Sequence, residues 1–257
     1  MSFERRPGGL VVRVTFAGSG DAFGSGGRLQ ACIHVRAGAQ PPVLLDCGAT
    51  SAAALKRQGL DPNEIAAVVV SHRHVDHFGG LPHLILDGQF RRRTAPLTVV
   101  GPPGTGRWLT EAMEVMFPGS STVDRRFAVE VVELEPGGRP TTIGATTVRA
   151  WRVDHGLAGG PFLGLRLEIG GRTIAYTGDT AWTDTLIELA AGADLLIAEA
   201  YFWDKPVPYH LRHADLVAHR HQLTNRRTIL THLSEDMLAH ADHAAFAVAH
   251  DGLVLDL

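Results

Sequence analysis

The chemistry-bearing stretch of this sequence is Ser71-His72-Arg73-His74-Val75-Asp76-His77-Phe78-Gly79-Gly80, which follows the apolar run Val68-Val69-Val70. Four potential metal ligands, His72, His74, Asp76 and His77, fall within six residues. Polar groups at the end of a buried strand cost roughly 2–7 kcal/mol each when they lack partners, so a cluster of this kind does not read as core. In an extended stretch alternate residues face the same side, which directs His72 and His74 together. Asp76 and His77, placed after the chain turns towards a helix, reach a neighbouring point. One short segment thus offers ligands to two divalent ions. Imidazole nitrogen with carboxylate oxygen suits zinc, with manganese or iron as alternatives.

Regular elements must position these groups. Short β-branched runs punctuated by Gly, Pro and Asp predict strands at 11–16, 31–35, 43–46, 65–71, 97–101, 127–134, 146–153, 162–169, 172–177, 194–198 and 227–231. Gly170-Gly171 reads as a tight hairpin turn. Helices are expected at 51–58, 79–86, 105–116, 183–191, 211–222 and 235–249. Both halves run strands into helices and no Pro/Ser-rich linker divides them. The expectation is one α/β domain over residues 1–257, with two similar halves, two sheets face to face and helices outside. The glycine-rich loop from Gly18 to Gly24 invites a dinucleotide reading, but a Rossmann turn must open a helix, and here Ser25-Gly26-Gly27-Arg28 leads towards a strand. A flexible loop beside a pocket is expected instead.

His-x-His-x-Asp-His after a strand resembles the signature of the metallo-β-lactamase superfamily, and further motifs similar to that family's follow in order. The resemblance implies an αββα sandwich of two mixed β-sheets flanked by helices. Asp154-His155-Gly156 resembles the third motif, so His155 would join His72 and His74 on a first metal. Gly178-Asp179-Thr180 resembles the fourth, so Asp179 would bridge two metals. Thr231-His232-Leu233-Ser234 resembles the last, so His232 would join Asp76 and His77 on the second. Leu44-Leu45-Asp46-Cys47-Gly48 also matches a family feature, and Asp46 would orient a ligand histidine from behind. All seven ligand positions are filled, and only Val75 departs, where many relatives carry glycine.

Within the superfamily, a lactamase would need export and no signal peptide is visible. Glyoxalase II-type enzymes place Thr after the third-motif histidine, where this chain has Gly156, and the flavodiiron branch carries a Glu in the first motif that is absent here. The motifs look most like the RNase Z group and its small phosphodiesterase cousins. In that group a late histidine pairs with the first-motif aspartate, here Asp76, and assists the leaving group. His210 stands at the matching place before a helix, with His213 as the rival. RNase Z enzymes that bind tRNA carry a basic arm, and no Lys/Arg-rich insertion long enough for one is seen. The expected substrate is a small phosphodiester, a cyclic nucleotide or cyclic sugar phosphate, attacked by a hydroxide shared by two metals. A thioester or lactone hydrolase of glyoxalase II type, or a metal-holding scaffold without turnover, are the alternatives. Tyr201, Phe202, Trp203 and Tyr209 are candidates either to line the pocket or to pack the core.

The chain has 257 residues, 45% hydrophobic and 20% charged, enough for a large core without staples. A net charge of −3 gives no footprint for general nucleic-acid binding. A small-molecule substrate is expected, with no membrane contact and a homodimer left open. Residues 1–10 carry Glu4, Arg5, Arg6 and Pro7 but no apolar core of a signal peptide, which suggests a cytoplasmic enzyme. Cys32 and Cys47 sit in apolar runs and read as buried small hydrophobes. Of 14 histidines, His34, His83, His219, His221, His240, His243 and His250 show no cluster logic. Arg91-Arg92-Arg93 reads as a solvated loop.

Overall fold

The computed structural model describes residues 10–156 and 158–257. The segment 1–9, which holds most of the stretch without a signal-peptide core, lies outside the described residues. The first-half strands are β1 (Val12–Gly18), β2 (Cys32–Ala37), β3 (Val43–Leu45), β4 (Ala67–Val69), β5 (Leu97–Gly101) and β6 (Val129–Glu133). The second half supplies β7 (Thr141–Ile143), β8 (Thr146–Arg152), β9 (Leu163–Ile169), β10 (Arg172–Tyr176), β11 (Leu195–Glu199), β12 (Thr228–Thr231), β13 (Ala247–Val248) and β14 (Leu253–Asp256). The helices are α1 (Ser51–Arg57), α2 (Val75–Phe78), α3 (Leu81–Phe90), α4 (Thr105–Met116), α5 (Thr185–Ala190), α6 (His213–Ala218) and α7 (Glu235–Ala239). Among the described residues no helix is long and apolar enough to cross a membrane.

Two seven-stranded sheets form, ordered β14-β1-β2-β3-β4-β5-β6 and β13-β12-β11-β10-β9-β8-β7. In the first, the pairs from β14 to β3 are antiparallel and those from β3 to β6 parallel. The second repeats that pattern, antiparallel from β7 to β10 and parallel from β10 to β13. The two similar halves expected from the sequence are therefore visible as one pairing scheme used twice.

Alternation along each strand builds three apolar layers. Ala67 and Val69 of β4 face the space between the sheets, beside Val14, Phe16, Leu165, Leu167, Ile174 and Ile197. Val68 and Val70 face outward onto Leu55, Leu84, Ile85, Trp108 and Met113 of α1, α3 and α4. On the far side Ala175, Leu196 and Leu230 meet Leu186, Leu189, Leu216 and Met237 of α5, α6 and α7. This is the αββα sandwich of two mixed sheets. The β9–β10 hairpin turns at Gly170 and Gly171, both with positive φ (58° and 79°), a geometry that a Cβ would strain.

Several expectations are corrected. The helix expected at 235–249 stops at Ala239, a 3-10 turn covers Ala241–His243, and β13 follows. That alanine-rich stretch favours a helix locally, but Ala247 and Val248 pair with Ile229 and Leu230 to close the sheet edge. The helix expected at 211–222 shortens to α6, with a 3-10 turn at Arg220–Gln222. The short edge strands β7, β13 and β14 were not expected, although Thr141-Thr142-Ile143 and Leu253-Val254-Leu255 are themselves β-branched or apolar runs beside Gly144 and Gly252. The arginine run is only partly solvated: Arg93 is buried and donates to the carbonyls of Pro62, Ile65, Ala95 and Pro96. The glycine loop after β1 opens no helix longer than a 3-10 turn (Ser25–Gly27). Nor is it loose, because the Asp21 carboxylate accepts from Phe23 N, Ser25 N and Ser25 Oγ. Cys32 and Cys47 are free and buried, and burial pushes the Cys32 thiol up to about 12, which leaves it inert.

Candidate metal centre

The ends of several strands meet at one edge of the sandwich. Residues His72 to His77 follow β4 and open α2, where His74 is the N-cap and Asp76 lies in the first turn. His155 follows β8, Asp179 follows β10, and His232 follows β12. The chain thus brings all seven expected ligand positions together. His72, His74 and His155 form one group whose ligand atoms lie within 4.8 Å of one another, and Asp76, His77, Asp179 and His232 form another.

Asp179 stands between the two groups. Its Oδ2 is 3.7 Å from His155 Nε2, 3.3 Å from His77 Nε2 and 3.3 Å from His232 Nε2. Asp76 Oδ2 is 3.2 Å from His77 Nε2 and 3.1 Å from His232 Nε2. His74 Nδ1 and His155 Nε2 face each other at 3.2 Å. His72 Nε2 and Asp179 Oδ1 are buried without a hydrogen-bond partner. Converging lone pairs and orphaned buried acceptors are what a cation would satisfy, so the residues fit the divalent ions that the sequence led us to expect.

The electrostatics divide the site. Burial holds His72 well below its ordinary value, with His77 adding to the effect, and burial takes His155 down to about 4. Both are neutral, ready ligands at pH 7. Burial lowers His77 and His232 too, but nearby carboxylates outweigh it. Asp179, Asp76 and Asp46 raise His77 well above its ordinary value, and Asp179 with Asp76 brings His232 to about 9. Burial disfavours the Asp179 charge, yet His232 and His77 hold that carboxyl well below the usual range. As side chains alone, the second group carries protons that a metal would displace.

Groups behind the site fix the rings. Asp46, fully buried, accepts from Ser71 N (2.7 Å), Ser71 Oγ (2.8 Å), Tyr176 OH (2.8 Å) and His77 Nδ1 (2.7 Å). Its Oδ2 therefore leaves His77 Nε2 facing the cluster. The Tyr209 carbonyl accepts from His155 Nδ1 at 2.8 Å, and Tyr209 adopts φ +64° to present it. Ser71 Oγ lies 3.0 Å from His72 Nδ1.

His210 lies at the cluster, with its ring centroid 4.7 Å from that of His155 and 4.9 Å from that of Tyr201. Its partner is not Asp76, as the resemblance implied, but Glu199, whose Oε2 is 2.9 Å from His210 Nδ1. Burial lowers His210, but the Glu199 charge and hydrogen bond outweigh this and raise it above its ordinary value. Glu199 was missed because the expected strand ended one residue early. The signal was an acid closing the otherwise apolar β11. His213 sits elsewhere: its ring stacks on Trp203 at 4.1 Å and its Nε2 accepts from Ala245 N. Trp203 packs on His213 and His240, so it belongs to this support and not to the site.

This architecture is an αββα sandwich whose edge carries a His/Asp cluster able to hold divalent metal. Residues 42–233 match the family described as "Beta-lactamase superfamily domain". The chain is 26% identical to ribonuclease Z of Methanosarcina acetivorans, over 87% of this chain and 88% of that one. Among solved structures it is similar to human tRNase Z, short form (TM-score 0.77, 26% identity, 95% of this chain and 98% of that one). It shares its fold with a diphosphatase of the PhnP family (TM-score 0.77, 24% identity, 96% and 98%). The chain belongs to the metallo-β-lactamase superfamily and is an RNase Z-like hydrolase.

Proposed function

We propose that this chain is a binuclear metal-dependent phosphodiesterase acting on a small phosphodiester, such as a cyclic nucleotide or cyclic sugar phosphate. His72, His74 and His155 would hold one divalent ion, and Asp76, His77 and His232 the other, with Asp179 between them. Zinc suits the donor set. Such ions supply Lewis acidity for a phosphoryl oxygen and make water a nucleophile near neutral pH. The protein's own part is positioning and proton supply. Asp46 holds the His77 ring and the Tyr209 carbonyl holds the His155 ring. His210, its Nδ1 engaged by Glu199, has Nε2 left to donate a proton to the leaving oxygen.

That Glu199–His210 pair against the ligand cluster is the observation that carries the reading, because an alkoxide leaving group needs a proton. The ribonuclease name borne by the relatives supports the bond type. A net charge of −3 favours a small substrate over a folded RNA. Metal-reconstituted protein assayed on bis-p-nitrophenyl phosphate, S-lactoylglutathione, a lactone and a β-lactam should turn over the phosphodiester best. Robust thioester turnover without phosphodiesterase activity would overturn the reading in favour of the glyoxalase II type.

A further inference from the structure

Three of the metal-facing histidines are held through the ring nitrogen that points away from the cluster: His77 by Asp46, His155 by the Tyr209 carbonyl and His72 by Ser71 Oγ. His232 is different. Its Nε2 faces Asp76 and Asp179, while its Nδ1 is buried with no hydrogen-bond partner. It also adopts φ +58°, a left-handed conformation uncommon for a residue with a side chain. Something other than a ring hydrogen bond must keep it in place.

The hold comes through the backbone. His232 N donates to the Ser19 carbonyl at 3.1 Å, and Thr231 Oγ1 donates to the same oxygen at 3.2 Å. Ser19 is fixed in turn by Asp251, in the turn before β14. Asp251 Oδ1 accepts from Ser19 N (3.0 Å) and Ser19 Oγ (2.9 Å). Its Oδ2 accepts from Leu29 N at 2.8 Å, which clamps the far end of the same loop. We propose that Asp251 is a positioning residue for the second metal position, acting through the Ser19 carbonyl on the backbone of His232. The proposal rests on the metal centre described above, and Asp251 itself touches neither metal ligand nor substrate.

The outer part of the loop has its own supports, with Gly26 N on Glu235 Oε1 (2.8 Å) and the Asp21 bonds. Loss of Asp251 should therefore loosen the Ser19 carbonyl without dissolving the loop. The test is stepwise zinc binding to the metal-free chain against a chromophoric chelator, with His72→Ala and His232→Ala identifying the first and second steps. Wild type should show two steps. Asp251→Ala should weaken the second about 10- to 100-fold, the usual effect of removing a group that orients a ligand, and leave the first unchanged. Asp251→Asn keeps the shape and one acceptor, and should weaken it about tenfold. Asp256→Asn, at an exposed ion pair with Arg13, is the control with no expected effect. Two unchanged steps, or two steps weakened in parallel with the melting temperature, would refute the positioning role. A wild-type chain with one step or none would sink the binuclear reading, and this proposal with it.

Discussion

Replacing Glu199 by glutamine isolates the proton supply from the metal centre. The Glu199 side chain is buried, with Oε2 on His210 Nδ1 at 2.9 Å and Oε1 accepting from Thr180 N. In Glu199→Gln the amide oxygen can keep the Thr180 contact, and the amide nitrogen then donates to His210 Nδ1, which leaves that ring neutral. A hydrogen bond to a charged group contributes roughly 1.5–3 kcal/mol, which is about one to two pH units at about 1.4 kcal/mol per unit. His210 is raised in the wild type, so a rate that needs its proton is full at low pH and falls as pH rises through its pKa. In the variant that falling limb should move about one to two pH units lower. At neutral pH that shift should lower the rate on alkoxide leaving groups by up to about 10- to 100-fold, and much less on nitrophenolate, which leaves without a proton. The assay is kcat against pH for a paired alkyl and nitrophenyl phosphodiester, with metal content checked by elemental analysis. An unmoved limb, or equal losses on both substrates, would refute the donor role of His210.

Three further outcomes are expected. Asp46→Asn places an amide nitrogen against partners that donate to Asp46, so second-site metal affinity should fall about 10- to 100-fold and stability by about 1–3 kcal/mol, read by chelator competition and thermal melting. His213→Ala removes the Trp203 stack and the acceptor for Ala245 N, so the protein should melt lower by about 1–3 kcal/mol of stability while kcat holds; a collapse of kcat at full metal content would restore His213 as a candidate donor. His77 and His232 are raised while His72 and His155 are lowered, so the second site must shed protons that the first does not carry. Between pH 8 and pH 6 its affinity should fall about tenfold per pH unit for each proton displaced, with the first site nearly flat, as calorimetry in buffers of different ionisation enthalpy would show.

What the sequence revealed depended on how far apart the cooperating residues lie along the chain. His72, His74, Asp76 and His77 are contiguous, so their chemistry was readable before any fold was known. His155, Asp179 and His232 were found through motif resemblance, and the structure gathers them because their strands end at one edge. Asp251 was invisible because it acts only through a neighbour brought close by folding, and Glu199 left only the faint signal of an acid closing an apolar strand. His210 and His213, three residues apart, could not be separated until the Trp203 stack removed one of them. The strands β4 and β10 were legible as β-branched runs, but which of their residues face inward was not. By contrast, the alanine-rich 235–249 misled because the edge pairing of β13 outweighs its local helix preference.

Anomalous diffraction from crystals of the zinc-loaded protein bears most directly on the central claim. Two peaks about 3.5–4 Å apart are predicted, one among His72, His74 and His155, the other among Asp76, His77 and His232, with Asp179 reaching both. A single peak, or a second peak held by other residues, would contradict the binuclear centre.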